Sequence, residues 1–270
     1  MNNLNETASL DTLCGALSYA MDIDSPEKSA SGNVDLKKYV DDVLKGEKVD
    51  KIFMYNPDAI AQWLYEKYPY LFEDAEPFAE FKLPLVSVMP SVTPVCFGTM
   101  YTGAQPSVHG IQKYEKPVIQ IDTIFDALIR AGKKPVIVSY GNSSLSKIYL
   151  ERQMDYYCFE TLDEVNAKAA ELILRNEHDF YVIYNGNYDT KMHKNGPESI
   201  AALSEIRANC RTFAMFSNMI KEHWNKYNTL VGFAMDHGCH EIDDGSGSHG
   251  LDMDEDLKIT HLYKLYPKNK

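Results

Sequence analysis

The stretch LVGFAMDHGCHE, residues 230–241, carries an apolar run directly into an Asp-His pair, and the tripeptide SHG follows at residues 248–250. A short apolar run that ends in polar residues is typical of a buried strand followed by a loop. Carboxylate and imidazole groups together suit Zn²⁺ and related ions, and glycines let the backbone turn tightly around such a site. The same pattern also fits a polar turn after a buried strand. Other segments must therefore supply the remaining ligands if this is a metal site.

Similar apolar runs recur along the chain and alternate with stretches whose apolar residues have helical spacing. The predicted strands are residues 51–56, 83–89, 135–140, 156–159, 180–184, 230–235 and 259–265. The predicted helices are residues 59–68, 123–131, 145–152, 162–175 and about 198–227. Alternating strands and helices favour a parallel sheet covered on both sides. We therefore expect an α/β fold with a doubly wound, mostly parallel sheet flanked by helices on both faces.

The first 50 residues form a separate part of this prediction. Leu10, Leu13, Leu17 and Met21 recur at helical spacing, and a second short helix is predicted from residue 35 to residue 44. We expect residues 1–50 to be a short helical prefix packed on the flank of a main domain, residues 51–270. A dimerisation arm is the alternative for this prefix, which leaves a homodimer open.

Composition limits the class of protein and its partners. The 270 residues are 44% hydrophobic and 24% charged, which is ordinary for a globular domain. A formal net charge of −12 argues against a nucleic-acid polymer or an anionic membrane as partner, although a small phosphorylated substrate remains compatible. The five cysteines are scattered, and we expect neither a signal peptide nor a membrane span, because the first residues lack a basic segment and no run of about 18 apolar residues occurs. We expect a cytoplasmic protein.

Chemically capable residues follow several predicted strands. Asp58 comes after the first core strand, Thr93 after the second, and Asp189 after residues 180–184. In an open α/β sheet, ligands bind outside the carboxyl ends of the strands. The spacing of four between Asp189 and His193 places both side chains on one helix face, where they can hold one ion. A capping aspartate beside an exposed histidine is the alternative for that pair.

Thr93 precedes Pro94, a pair that is typical of a helix start. A threonine hydroxyl becomes a good nucleophile only when a metal or base lowers its pKa, so a plain N-cap is the alternative. Two metals about 4 Å apart can hold both the attacking and the leaving oxygen of a phosphoryl displacement. The chain offers six carboxylate and imidazole ligands for two such ions: Asp58, Asp189, His193, Asp236, His237 and His249.

Several ordered motifs resemble one known family. They are PSVTP at residues 90–94 with TGxxPxxHGI at 102–111, DxxxHxxGP at 189–197, DHG at 236–238 and SHG at 248–250. The chain is thereby similar to the alkaline phosphatase superfamily, and most to its nucleotide pyrophosphatase/phosphodiesterase branch. The resemblance implies an alkaline phosphatase-like fold and a site with two divalent metal ions, for which we expect Zn²⁺ with Mn²⁺ as the alternative.

The resemblance also implies a role for each residue. Thr93 is the nucleophile. One metal is held by Asp189, His193 and His249, and the other by Asp236, His237, Thr93 and Asp58. His109 is expected to brace its loop rather than to bind metal.

Two positions depart from the pattern of the family. The family usually has its first aspartate directly after the strand, whereas Asn56 and Pro57 precede Asp58 here. The branch often has an asparagine three residues after the nucleophile to hold a phosphate oxygen, whereas this chain has Cys96. A thiol is a poor hydrogen-bond donor. Asn187 is therefore a candidate to take over this contact, and Cys96 and Asn187 are both candidate substrate-binding residues.

The resemblance implies a metal-dependent hydrolase of phosphodiester or pyrophosphate-type bonds that acts through a phospho-threonine intermediate on a small, nucleotide-like substrate. A phosphomonoesterase is one alternative, and it would need an added cationic group near the phosphate, for which Lys113 and Lys191 are candidates. A phosphomutase on the same metal core and a non-catalytic metal-binding protein are the others.

Overall fold

A central sheet organises the computed structural model, which describes residues 7–269. The first six residues of the predicted prefix lie outside this range. In chain order the strands are β1 (Ala8–Ser9), β2 (Lys51–Pro57), β3 (Phe81–Val86), β4 (Pro135–Tyr140), β5 (Asp155–Phe159), β6 (Phe180–Asn185), β7 (Thr229–Phe233), β8 (His240–Glu241), β9 (Gly247–Ser248) and β10 (Lys258–Tyr266). The short β8 and β9 pair only with each other.

The other eight strands form one sheet in the order β1-β3-β10-β7-β2-β6-β4-β5. Strand β10 is antiparallel to both of its neighbours, and the remaining pairs are parallel. All residues of β2, β6 and β7 are buried, as expected for strands that are covered on both faces. The carboxyl ends of seven strands therefore meet at one edge, and the prediction of a mostly parallel sheet is confirmed.

The helices lie on both faces of this sheet. In chain order they are α1 (Thr12–Ala20), α2 (Val34–Leu44), α3 (Gln62–Lys67), α4 (Thr93–Thr102), α5 (Pro106–His109), α6 (Ile124–Arg130), α7 (Leu145–Ile148), α8 (Leu162–Arg175), α9 (Asn187–Asn195), α10 (Ile200–His223) and α11 (Asp254–Leu257). Two short 3₁₀ helices, Pro69–Phe72 and Glu76–Phe78, connect α3 to β3.

Alternate residues of β2 show how the two faces are covered. Tyr55 packs its ring against Phe213 and Phe216 of α10. Asn56, on the opposite face, accepts a hydrogen bond from the hydroxyl of Tyr101 in α4 at 2.7 Å. Successive side chains of a strand point to opposite faces, so α10 and α4 sandwich this central strand. The predicted helical cover on both faces is confirmed.

Local sequence signals set the ends of several helices. Thr161 and Glu164 form a reciprocal capping box at the start of α8, and Asn176 ends that helix in the left-handed conformation. The predicted helix 162–175 matches α8 in both bounds. Helix α6 begins with a second capping box, formed by Thr123 and Asp126.

The N-terminal part of the described chain contributes to the same core. Helix α1 is almost wholly buried, and it contacts α4 and α6. Residues Ala8 and Ser9 pair with Leu85 and Val86 and extend the sheet by one short parallel strand. The sequence did not predict this strand. Within residues 7–269, none of the helices combines the length and apolar character needed to cross a membrane.

Candidate metal centre and active site

Four loops at the carboxyl edge of the sheet carry the predicted site residues. Asp58 directly follows β2, and Thr93 is the first residue of α4 after β3. Asp189 lies in the first turn of α9 after β6, and Asp236 and His237 follow β7. Because these strands are parallel, their carboxyl ends bring the loops to one place.

The first group of potential ligands, which we call the inner cluster, consists of Asp58, Asp236 and His237. All three residues are buried. Nε2 of His237 lies 3.4 Å from Asp58 Oδ1 and 3.4 Å from Asp236 Oδ2. The hydroxyl Oγ1 of Thr93 lies 3.4 Å from Asp58 Oδ2 and 3.5 Å from His237 Nε2. The inner cluster therefore presents two carboxylates and one imidazole beside a hydroxyl group.

The second group, the outer cluster, consists of Asp189, His193 and His249. Asp189 Oδ1 lies 3.2 Å from His193 Nε2 and 3.4 Å from His249 Nε2, and the two Nε2 atoms are 3.1 Å apart. The rings of His237 and His249 have their centroids 4.1 Å apart. The two clusters are therefore adjacent, and the loop that contains β8 and β9 connects them.

The three imidazoles of these clusters share one orientation. Nδ1 of His237 lies 2.9 Å from the Gly238 carbonyl oxygen, and Nδ1 of His193 lies 2.9 Å from that of Gly247. Nδ1 of His249 lies 2.8 Å from the carbonyl oxygen of Ser91. A carbonyl can only accept, so each Nδ1 donates its hydrogen, and in the neutral imidazole each Nε2 then points its lone pair into the cluster. This is the usual arrangement of histidines that bind a metal.

Buried carboxylate oxygens without a hydrogen-bond partner occur in both clusters. Asp58 Oδ1, Asp189 Oδ1 and Asp236 Oδ2 are buried and have no hydrogen-bond partner. Burial, with the charge of Asp189, raises the pKa of Asp58 to about 7, and burial with the charge of Asp58 raises that of Asp236 well above its usual range. Buried carboxylates need a compensating cation or must take up protons.

The outer cluster shows the same need through its histidines. The contact with Asp189 raises the pKa of His193 to about 9, and the pKa of His249 is raised by Asp189 against the opposing effect of burial. Burial and the charge of His249 lower the pKa of His237 to about 3, so this imidazole stays neutral. Three carboxylates, each with one oxygen that lacks a hydrogen-bond partner, and three oriented imidazoles form a donor set that fits two divalent cations.

The N-terminus of α4 decides between two interpretations of Thr93. Val92 occupies the N-cap position, and its carbonyl oxygen accepts from Val95 N and Cys96 N at 3.0 Å each. The threonine hydroxyl makes no capping hydrogen bond. The plain N-cap alternative is therefore wrong, because Thr93 is already the first helical residue. Its hydroxyl faces the inner cluster.

Backbone and side-chain contacts fix Asp58 beside Thr93. The hydroxyl of Tyr184 donates to Asp58 Oδ2. Ala59 adopts a positive φ of 61° and donates its N–H to Asp236 Oδ1 at 3.2 Å. Positive φ is uncommon outside glycine and often occurs at functional sites. The turn after β2 thus directs Asp58 into the cluster and orients Asp236.

A polar cavity of about 240 Å³ opens beside Thr93 and both clusters. Most of its wall was not predicted from the sequence. The lining residues are Tyr114, Lys116, Tyr140, Gly141, Asn142, Ser143, Ser144, Tyr184, Gly186 and Thr190 together with Asp58, Thr93 and Asp189. The segment around Lys116 has no strand or helix periodicity, so only the position of Gly141–Ser144 after β4 could have indicated this wall.

The structure does not bring the other candidate residues into the cavity wall. Cys96 is fully buried with its sulfur 3.2 Å from the hydroxyl of Ser87, and Asn187 Nδ2 donates to Glu205 at 3.3 Å. Lys113 is exposed and pairs with Glu115. Other residues of the wall are therefore better placed to contact a substrate.

Two further residues of the sequence motifs have structural contacts. His109 contacts Thr99 Oγ1 through Nε2 at 3.1 Å and accepts from Ile111 N, so it braces the α4–α5 connection. His240 contacts the buried carboxylate of Asp256 at 2.7 Å. Neither imidazole belongs to the two ligand clusters within the described residues.

Comparisons with known proteins agree with this geometry. A family model described as type I phosphodiesterase/nucleotide pyrophosphatase matches residues 78–268. No curated protein sequence matches the chain. Murine ectonucleotide pyrophosphatase/phosphodiesterase 5 has a similar structure, with a TM-score of 0.57, 17% identity, and coverage of 72% of this chain and 58% of that chain. An inactive form of the murine protein in complex with AMP has a TM-score of 0.55 and 16% identity, with coverage of 72% of this chain and 58% of that chain.

A third similar structure is phosphonoacetate hydrolase from Sinorhizobium meliloti 1021 in complex with phosphonoformate, with a TM-score of 0.55, 16% identity, and coverage of 73% of this chain and 59% of that chain. The chain therefore spans less than two thirds of the length of each of these proteins. At such identities the likeness establishes the fold, whereas the family model covers most of this chain and includes the motifs around Thr93, Asp189, Asp236 and His249. The chain belongs to the type I phosphodiesterase/nucleotide pyrophosphatase family, a branch of the alkaline phosphatase superfamily.

Proposed function

We propose that this protein is a metal-dependent hydrolase of phosphodiester or pyrophosphate-type bonds, with Thr93 as its nucleophile. The observation that supports this most directly is the position of the Thr93 hydroxyl, which lies 3.4 Å from Asp58 and 3.5 Å from His237 at the mouth of a polar cavity. Membership of the family supports the class of reaction.

The donor set suggests how two cations would be held. Asp58, Asp236 and His237, with the Thr93 hydroxyl, are the proposed ligands of one ion. Asp189, His193 and His249 are the proposed ligands of the other. Mixed nitrogen and oxygen donors suit Zn²⁺ best, with Mn²⁺ as the alternative. When bound, two such ions lower the pKa of a coordinated hydroxyl and neutralise charge on the attacking and leaving oxygens.

The residues of the chain supply the rest of the proposed reaction. Thr93 Oγ1 attacks phosphorus in line, the bond to the leaving oxygen breaks, and a phospho-threonine forms. Water then cleaves the phosphorus bond to Oγ1 and restores the hydroxyl. Asp58 Oδ2, at 3.4 Å, is an acceptor for the hydroxyl proton. Tyr184, which donates to the same carboxylate oxygen, holds Asp58 in position for this contact.

A small substrate fits the dimensions of the site. The cavity of about 240 Å³ has room for a phosphoryl group and a modest attached group. One similar structure is a complex with AMP, which supports a nucleotide-like phosphate compound as substrate. The neighbouring hydroxyl and amide groups of Asn142, Ser143 and Ser144 are suitable donors for phosphate oxygens.

The test uses metal-loaded protein and an activated substrate, methyl p-nitrophenyl phosphate. Thr93→Ala should keep the folded state and the metal content but lose hydrolysis on the order of 10³-fold or more, as expected when a nucleophile is removed. Thr93→Ser is the matched control, because it keeps the hydroxyl and should retain much of the activity. Near-normal turnover by Thr93→Ala would refute the assignment.

Two measurements on the same samples test the metal assignment. Elemental analysis should find two divalent ions per chain in the wild type and fewer after Asp189→Ala or His249→Ala. If metal content stays unchanged in both variants, the outer cluster is not a metal site. Transfer of the phosphoryl group between two positions of a sugar phosphate, in place of its release to water, would indicate a phosphomutase instead.

A further inference from the structure

We infer that Lys116 selects substrates that bring a second negative charge into the cavity, in preference to phosphodiesters that carry one. This inference rests on the proposed function, and it names the substrate class of the same site. Among the described residues that line the cavity, Lys116 is the one with a basic side chain. The acidic residues Asp58 and Asp189 line the same cavity.

The contacts of Lys116 hold its ammonium group at the cavity without neutralising it. Nζ donates to the carbonyl oxygen of Asn142 at 2.6 Å. Within residues 7–269 it forms no ion pair, although many of the other lysines do. An ammonium has three hydrogens to donate, so two remain for another acceptor. The lysine is therefore positioned by an uncharged partner, and no carboxylate pairs with its ammonium within the same residues, although burial lowers the pKa of Lys116.

The surrounding segment holds Lys116 in place. The N–H of Ile119 donates to the carbonyl oxygen of Ile148 at 2.8 Å and ties this irregular stretch to α7. The ring of Tyr114 lies 5.4 Å from Nζ, a cation–π distance. Burial, followed by the charges of Asp58 and Asp189, raises the pKa of Tyr114. The field of both carboxylates therefore reaches this wall of the cavity.

The charge of the whole site points to the same substrate class. Two divalent cations exceed the three carboxylates of the clusters by one positive charge, which a singly charged diester would already balance. Lys116 adds one more positive charge, so a substrate with two negative charges is the better electrostatic match. A phosphate monoester carries both negative charges on one phosphate group, whereas a pyrophosphate diester carries one negative charge on each of its two phosphate groups.

Lys113 provides a matched control for this inference. It lies three residues before Lys116 on the same segment, but its ammonium pairs with Glu115 at 3.4 Å and its side chain is 76% exposed. Lys113 does not line the cavity. Removing either lysine changes the net charge of the chain by the same amount, so a difference between the variants reports position rather than total charge.

The experiment compares two substrates that differ by one charge and share one leaving group, p-nitrophenyl phosphate and methyl p-nitrophenyl phosphate, at pH 8. We expect Lys116→Met to lower kcat/KM for p-nitrophenyl phosphate about ten- to hundredfold relative to kcat/KM for methyl p-nitrophenyl phosphate. This is the loss expected for a hydrogen bond between charged groups. Lys116→Arg should restore most of the ratio of the two kcat/KM values. Lys113→Met should leave it unchanged.

A binding measurement separates selection from catalysis. Calorimetry on metal-loaded Thr93→Ala protein should show that adding Lys116→Met weakens methyl phosphate about ten- to hundredfold and dimethyl phosphate much less. Hydrolysis of P1,P2-dimethyl pyrophosphate, followed by phosphorus NMR, identifies the source of the second charge. If Lys116→Met weakens only the reaction of this compound, Lys116 recognises the charge of a neighbouring phosphate. If it weakens only methyl phosphate binding, Lys116 recognises the second charge on the reacting phosphate.

Failure of this inference can be distinguished from failure of the proposed function. If wild-type protein hydrolyses none of the esters, the proposed function is wrong. If hydrolysis depends on Thr93 but Lys116→Met changes singly and doubly charged compounds by the same factor, the proposed function stands and the inference about Lys116 is overturned. An equal effect of Lys113→Met would also overturn it, because the effect would then follow from net charge.

Discussion

Replacing Asp58 with asparagine should stabilise the metal-free protein while it removes metal binding at the inner cluster. Asp58 is 1% exposed, and its Oδ1 has no hydrogen-bond partner. An asparagine has nearly the same shape and can still accept from Tyr184 at one atom. Its amide can donate toward His237 Nε2, which lies 3.4 Å from Oδ1 in the wild type. The substitution therefore replaces an uncompensated buried charge with a neutral group that has partners on both sides.

The pKa of Asp58 gives the size of the effect. Burial and the charge of Asp189 raise this pKa from 3.8 to about 7 in the metal-free folded state. The stability due to this bound proton is complete below pH 3.8 and is lost as the pH rises through 7. One pKa unit corresponds to about 1.4 kcal/mol, so this shift destabilises the folded state by roughly 4 kcal/mol at pH 8, where Asp58 is ionised, and by less than about 2 kcal/mol at pH 5, where it is protonated.

Urea unfolding in the presence of a chelator measures this difference. Asp58→Asn should be more stable than wild type by about 2–4 kcal/mol at pH 8, with a smaller gain at pH 5. Saturating Zn²⁺ should reverse the order, because a ligand at a thousand times its Kd stabilises the wild type by about 4 kcal/mol. Asp252→Asn, at an exposed aspartate, is the control. A metal-free Asp58→Asn protein no more stable than wild type at pH 8 would refute the reasoning.

Three further predictions concern residues that support the site. Burial lowers the pKa of His109 to about 4. The stability that neutral His109 contributes is therefore present above pH 6.5 and is lost as the pH falls through 4. The wild type should lose unfolding free energy between pH 7 and pH 4.5, and His109→Gln should lose about 2 kcal/mol less over the same range. Gly98→Ala would place Cβ 2.8 Å from the His109 ring and should lower the unfolding free energy by about 1–3 kcal/mol. Asp256→Ala, which removes the partner of His240, should weaken metal affinity about 10- to 100-fold by equilibrium dialysis, whereas unchanged affinity would show that the β8–β9 loop is held by other contacts.

Much of the fold followed from the sequence because its signals are local and periodic. The run before Asp236 and the run before Asp58 are buried strands, and the capping box at Thr161 marks the start of α8 within one residue. The short strand Ala8–Ser9 could not be predicted in this way. Two residues carry no period, and their pairing with β3 depends on where the rest of the chain has already placed that strand.

The candidate ligands were predictable for a related reason. A parallel sheet brings the residues after its strands to one edge, so Asp58, Asp189 and Asp236 could be grouped before their distances were known. The sequence could not show whether the Thr93 hydroxyl caps α4 or faces the candidate ligands. That choice depends on a shift of one residue in the helix start, since Val92 occupies the N-cap position.

The wall of the cavity that faces the ligands depends on contacts between irregular segments, which no periodic pattern records. Lys116 reaches the cavity because its ammonium bonds to the Asn142 carbonyl and because Ile119 is tied to Ile148, and neither contact has a sequence signature. Lys113 has the same charge and lies nearer to the HGI motif, yet it faces Glu115 at the surface. The positions of the candidate ligands are thus determined by the sheet, whereas the substrate selection that we propose would depend on the loops around it. Relatives with the same ligand motif can therefore differ in the charge of the substrate they accept, and the residue at the position of Lys116 is where such a difference should be sought.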